Sequence, residues 1–195
     1  MPSINKKTIM DIVKLSKDLM YKQTRKNKAP AWVLTEIAIK KGKELSRKHH
    51  ADEKLVLTAL YLAHTVFSPE WQGKIQKNHP KLSAEFAKKY LIKWDVNKTD
   101  QGIILNSIQA HHNHNPVKSK VAEVVKNAEC FKFVTTEGAL MWLHELGTRQ
   151  IPYEKAVDRV MIKMNHKKSL LTLDDCIKEA DNNCKKILKI FNRKS

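Results

Sequence analysis

Apolar residues recur at helical spacing from one end of the chain to the other, and that periodicity leaves little room for any fold but a helical one. Residues 4–22 set Ile4, Ile9, Ile12, Val13, Leu15, Leu19 and Met20 on the steps of one helix face, and the basic stretch Lys22 to Lys28 is expected to end it. Pro30 suits the first turn of a second helix, which carries Trp32, Val33, Ile37 and Ala38 towards Leu45. Asp52 is placed to cap a third, whose run from Leu55 to Ala63 is apolar nearly all round and therefore central. The pattern lapses from Phe67 to Asn78, where Ser68, Pro69 and Gly73 break it, and this loop, which carries Trp71, is placed to cover a site. Pro80 opens the next helix, with Leu82, Phe86 and Tyr90 in register. Thr99 is the expected cap of a helix whose face is Ile103, Ile104, Ser107, Ile108 and His111, stopped at Asn113 to Pro116. Further helices follow from Ser119 to Phe133, from Thr135 or Thr136 through Leu146, from Pro152 through Met164, and from about Leu173 to Phe191. With five glycines in the chain, the expectation is an all-α fold. No repeat, heptad or composition shift divides it, so residues 1–195 read as one domain, a single bundle of about eight to nine helices.

A chain of 195 residues can bury a real core without staples. Its three cysteines, Cys130, Cys176 and Cys184, are odd in number and widely spaced, which points to reduced thiols in a cytoplasmic protein. No apolar segment has the character of a signal peptide or the length of a membrane span. The formal charge of +17 suits a polyanionic partner such as nucleic acid. Only five of the 37 basic residues are arginines, however, and the lysines are spread along the whole chain, as a general solubility bias would spread them.

Four side chains carry the chemistry. His64 ends the central apolar helix, His79 stands just ahead of the Pro80 helix, His111 continues the face of Ile104, Ser107 and Ile108, and Glu129 follows Val121 and Val125 at four-residue steps. A buried carboxylate without a partner costs several kcal/mol or neutralises, and imidazoles with a metal remove that cost. Glu129 can instead form a structural salt bridge with Lys126 or Lys132, and the doublet His111 and His112, followed by His114, can be a surface cluster. Cys130 has no positioned histidine in sequence and reads as a core thiol.

In this order the residues resemble the HD superfamily of metal-dependent phosphohydrolases, over about residues 32–133. The apolar helix ends Ala59-Leu60-Tyr61-Leu62-Ala63-His64-Thr65; His79-Pro80-Lys81-Leu82-Ser83-Ala84-Glu85 matches a family element closely; Ile108-Gln109-Ala110-His111-His112 follows; and Ala128-Glu129 stands for the family's Ala-Asp pair. The resemblance implies an HD-like helical bundle and a site built from His64, His79, His111 or His112, and Glu129. That set suits a single divalent cation, Zn²⁺, Mn²⁺ or Fe²⁺, which in the complete family site acidifies bound water and offsets charge on a phosphoryl group. Two positions depart from the pattern. Leu34 stands where the first histidine belongs, with no histidine between Trp32 and Ala38, and Thr65 replaces the metal-bridging Asp. His49 or His50 would have to fold back to make up the loss.

Lys118, Lys120 and Lys126 flank this set and are the expected guides for a phosphorylated small molecule, unless they form an ordinary solvated face. The rival expectation is a non-catalytic HD-fold module that binds nucleic acid or another polyanion through its basic surface. A scaffold that docks a partner protein is a third, and oligomeric state is open.

Overall fold

Most helix starts are fixed by a side chain that takes over amides the first turn leaves unpaired. In the computed structural model, which describes residues 11–66, 74–112 and 115–192 (backbone alone for 74–77), Asp11 accepts from the amides of Val13 and Lys14 to start α1, Ile12–Asn27. The earlier residues of the expected first helix, Ile4 and Ile9 among them, lie outside the described residues. The helix runs on through the basic stretch that was expected to end it, because Arg25 and Lys26 sit well at the negative end of the helix dipole; Lys28 closes it at φ 53°. Pro30 precedes α2, Trp32–Lys48, instead of lying in its first turn, and the Ala29–Pro30 peptide is cis. The start of α2 has no side-chain cap of its own and takes its acceptor from elsewhere: Glu145 Oε1 accepts from the Ala31 amide at 3.0 Å.

Asp52 caps α3, Glu53–Leu62, as expected, accepting from Leu55 at 3.0 Å. α4 spans Lys74–Lys93, so Pro80 and His79 lie inside it, and the proline gives up one helix hydrogen bond there. Phe67 to Gly73, Trp71 included, lie outside the described residues. α5, Lys98–Ala110, is capped by Asn97 in place of Thr99: Asn97 Oδ1 accepts from the Asp100 amide at 2.9 Å and its amide nitrogen donates to the Asp100 carboxylate at 2.7 Å, a reciprocal arrangement that Thr99 is too far along to make. Ser119 caps α6, Lys120–Phe131, at 3.1 Å; a 3-10 turn, η1, covers Lys132–Val134; Thr135 caps α7, Thr136–Thr148; α8 is Tyr153–Lys168 and α9 is Asp174–Ile190. Among the described residues there are nine α-helices and no strand.

α3 is the axis. Every residue from Leu55 to Leu62 is buried, and the helix packs on α1, α2, α5 and α6. α6 is the second central element, with all but Glu123 buried from Val121 to Phe131; α4 covers α5, while α7, α8 and α9 close the α6 and η1 end of the bundle. α9 is tied to α2 by Lys41, which bonds both Glu44 (2.8 Å) and Glu179 (2.6 Å). Asn127 on α6 spends its amide on the turn before α9: Oδ1 accepts from the amides of Thr172 and Leu173 at 3.0 and 3.1 Å, and Nδ2 donates to Glu123 O and Thr172 Oγ1. No helix of the described residues is long and apolar enough to cross a membrane.

Candidate metal centre

The centre forms where the C-terminal ends of α3 and α5 meet α4 and α6. Leu62 is the last helical residue of α3, so His64 sits just past its end; His111 is the C-cap of α5, held on the same face as buried Ile104, Ser107 and Ile108; His79 points in from α4. One ring nitrogen from each of His64, His79 and His111 lies within 4.8 Å of the others. His79 is 3% and His111 1% exposed, so the cluster is internal.

The proton positions on His111 follow from its partners. Its Nδ1 faces the carbonyl oxygen of Ile108, which only accepts, so Nδ1 carries the proton and Nε2 presents a lone pair. That lone pair lies 3.2 Å from His79 Nε2. Two nitrogens on a tetrahedral zinc, each about 2.0–2.1 Å from the ion, would be about 3.3–3.4 Å apart. The His79–His111 pair, at hydrogen-bond distance from each other, already has close to that spacing, and the His64 nitrogen, within 4.8 Å of both, would supply the third ligand. Burial first, and then the cationic neighbour Lys132, lower the His64 pKa to about 3; burial and His64 lower that of His111 to about 3, so both rings are neutral as metal ligands must be. The donor set therefore fits one N-liganded divalent cation.

Glu129 is inward as expected, 3% exposed, and its charge is met by protein groups. Its Oε2 receives His64 Nε2 at 2.7 Å and Lys132 Nζ at 2.6 Å. Burial opposes ionisation, but Lys132 and His64 outweigh it and hold the carboxyl well below the usual range. Of the two lysines weighed as its partner, Lys132 takes the role, one helical turn on from Glu129. Thr65 is fully buried and its hydroxyl donates to Leu62 O at 3.1 Å, capping the end of α3 where a carboxylate would be needed; Leu34 is a core residue of α2. His49 gives no substitute, since its Nε2 bonds Asp175 at 3.2 Å on α9.

His112 stands beside the triad, its ring centroid 5.0 Å from His79 and 5.4 Å from His111, and its Nε2 faces Lys167 Nζ at 3.1 Å. An ammonium donates, so this nitrogen accepts. Burial and Lys167 hold the His112 pKa far below its ordinary value. Lys118 lines a cleft of 550 Å³ between α4 and α5, with Asn78, Lys81, Asn106, Gln109 and Asn115; Lys120 is exposed at the start of α6, and Lys126 is 6% exposed within the bundle. The lysines nearest the histidines are Lys132 and Lys167, which the sequence did not single out as ligand-binding. Their signal was weak: Lys132 lies three residues beyond Glu129, but Lys167 reaches the site only because α8 folds back across η1 and α6.

No protein-family model matches the chain, and no curated protein matches it in sequence. A crystal structure of a Lactobacillus plantarum protein, a Northeast Structural Genomics target, superposes with a TM-score of 0.69 over 97% of this chain and 96% of that one, at 13% sequence identity. At that identity the likeness is one of fold alone.

Proposed function

We propose that this chain is an HD-like metal-dependent phosphohydrolase with a reduced site, in which His64, His79 and His111 hold one divalent cation. The observation that carries the reading is the His79–His111 nitrogen spacing of 3.2 Å together with the proton of His111 fixed on Nδ1. A cation bound there supplies Lewis-acid polarisation of a phosphoryl oxygen and acidifies water. The residues around it orient and neutralise. Ile108 O fixes the His111 ring, and Glu129 holds His64 through Nε2. Glu129, kept ionised by Lys132, is an orienting acceptor and a poor proton acceptor.

Protein prepared without a histidine tag and stripped with chelator is expected to bind one equivalent of Zn²⁺ or Mn²⁺, and His111→Ala to bind at least tenfold more weakly. Hydrolysis of a generic phosphoester should appear with the metal and vanish in the same variant. Absence of stoichiometric binding in the wild type would sink the reading. The rival, a non-catalytic module for nucleic acid, draws on the charge of +17 and on the loss of the Asp at Thr65. It predicts RNA or DNA binding that falls steeply with salt and survives His64→Ala.

A further inference from the structure

The bundle contains two kinds of buried lysine. Lys41, 5% exposed, has two carboxylates, Glu44 and Glu179, within 2.8 Å, and its pKa is raised: burial opposes the charge, and the two acids outweigh it. That is what a structural buried ammonium looks like here. Around η1 and α8 the carboxylates are fewer. Lys132 and Lys167 are each 2% exposed, and Glu129 is the only carboxylate in ion-pair contact with any of Lys132, Lys163 and Lys167 among the described residues. Lys163 and Lys167 are four apart on α8, so two like charges share one helix face, which is unfavourable without a counter-charge. Lys163 Nζ lies 4.8 Å from the Phe133 ring centre and Lys132 Nζ lies 5.4 Å from the same centre, so one ring gathers both ammonium groups. Lys132 is 3.3 Å from His64 Nε2 and Lys167 is 3.1 Å from His112 Nε2, so the group borders the histidines directly. Glu145, the carboxylate felt by Lys163, is already committed to the Ala31 amide and to Arg149.

We propose that Lys132, Lys163 and Lys167, converging from η1 and α8 beside the histidine triad, form a binding site for the phosphoryl group of a small phosphorylated ligand. Among the described residues Lys163 and Lys167 contact no carboxylate and Lys132 has only Glu129, and three donors so placed match the three non-bridging oxygens and the multiple charge of such a group. Burial and mutual repulsion lower the Lys163 pKa to about 7, and burial lowers that of Lys167, as in a cluster that lacks an anion. Lys132 and Lys167 are buried and Lys163 is partly exposed, a placement that suits a phosphate ester or a short polyphosphate better than a nucleic-acid backbone. The inference rests on the metal reading only for its location, and α8 lies beyond the part of the chain that resembles the HD family.

The test is calorimetric titration of the full chain, in chelator, with inorganic pyrophosphate. The wild type is expected to bind, with Lys163→Met and Lys167→Met each weakening binding about tenfold or more, as loss of one charge-assisted contact requires. Methionine keeps the aliphatic stem and removes a repelled charge, and thermal melting checks that each variant folds. Should Lys167→Met fail to fold, the partly exposed Lys163→Met reads the same site. No binding of pyrophosphate at millimolar concentration, or wild-type affinity in folded variants, overturns the proposal, as does RNA binding equally to wild type and variants with no response to pyrophosphate. Zinc titration of the same variants keeps the two readings apart: zinc binding without pyrophosphate binding removes only this one, and the converse removes only the metal.

Discussion

Lys132 is the residue on which the centre turns. Its ammonium sits 2.6 Å from Glu129 Oε2 and 3.3 Å from His64 Nε2, so it neutralises the carboxylate and at the same time repels any cation brought to the histidines. Lys132→Met should therefore change two properties in opposite directions. Metal-free protein should lose about 3 kcal/mol, because Glu129 keeps its burial and loses its main counter-charge. Zinc affinity should rise by about tenfold or more, since removing an adjacent positive charge and releasing an anionic oxygen both favour the ion. Urea unfolding without metal and a zinc titration read the two effects, and weaker zinc binding in the variant would show that Lys132 does not oppose the ion. Among the residues of the site, His64, His111 and Glu129 were legible because each ends or continues an apolar face at helical spacing, whereas His79 was found through the resemblance and its place inside α4 was not foreseen. The choice of Lys132 over Lys126 was not, since both lie within one turn of Glu129 and only rotamers separate them. Lys163 and Lys167 carried no signal, because nothing in the order of residues says which face of α8 meets η1.

At the scale of elements, the position of Lys132 depends on how closely α7 follows η1. Gly138 lies in the first turn of α7, and a Cβ there would run into the backbone carbonyl of Lys132, which has no flexible end to move aside. Gly138→Ala is thus expected to cost about 3 kcal/mol or more despite alanine's better helix propensity. Because the displaced group is the turn carrying Lys132, a surviving Gly138→Ala protein should also show altered zinc and pyrophosphate binding; a melting temperature unchanged from wild type would contradict the close approach. The starts of α3, α6 and α7 were readable from Asp52, Ser119 and Thr135, since a cap acts within its own turn. The start of α2 was not: its acceptor is Glu145, on α7, 114 residues away in the chain. Asn127 is a similar case, a polar residue in the middle of a buried helix, three of whose four hydrogen bonds make sense only once the α8–α9 turn lies against it.

For the molecule as a whole, the last helix is fastened to the second by charge. Asp175, in the first turn of α9, accepts from Lys48 Nζ at 2.9 Å and His49 Nε2 at 3.2 Å. Burial is the largest single influence and raises its pKa, but the hydrogen bonds from Lys48, His49 and the Cys176 amide together outweigh it and bring it from 3.8 to about 2. A carboxyl depressed on folding stabilises the protein above its unfolded pKa and ceases to do so as pH falls through the folded value. The contribution should accordingly be complete above about pH 5 and disappear between about pH 4 and pH 2. Asp175→Asn should cost about 1 kcal/mol at pH 7 after allowance for solvent screening, and its deficit should close as pH is lowered towards 2. Urea unfolding of both proteins across that range is the measurement, and a deficit that stays constant with pH would rule out the charge as its source.

The helical character of the described residues, the central place of Leu55 to Leu62 and the inward facing of His64, His111 and Glu129 are legible along the chain, because they follow from the 3.6-residue period and from caps that act locally; His79, expected ahead of its helix, entered the set only through the resemblance. Tertiary structure alone decided what meets at the centre. It brought the His79 and His111 nitrogens to a ligand-like separation, gave Glu129 to Lys132, sent His49 to Asp175, and laid α8 so that Lys167, remote in sequence, reaches His112. Those outcomes depend on side chains from helices far apart in the chain competing for the same few ångströms, and periodicity along one helix carries no record of which competitor from another will arrive.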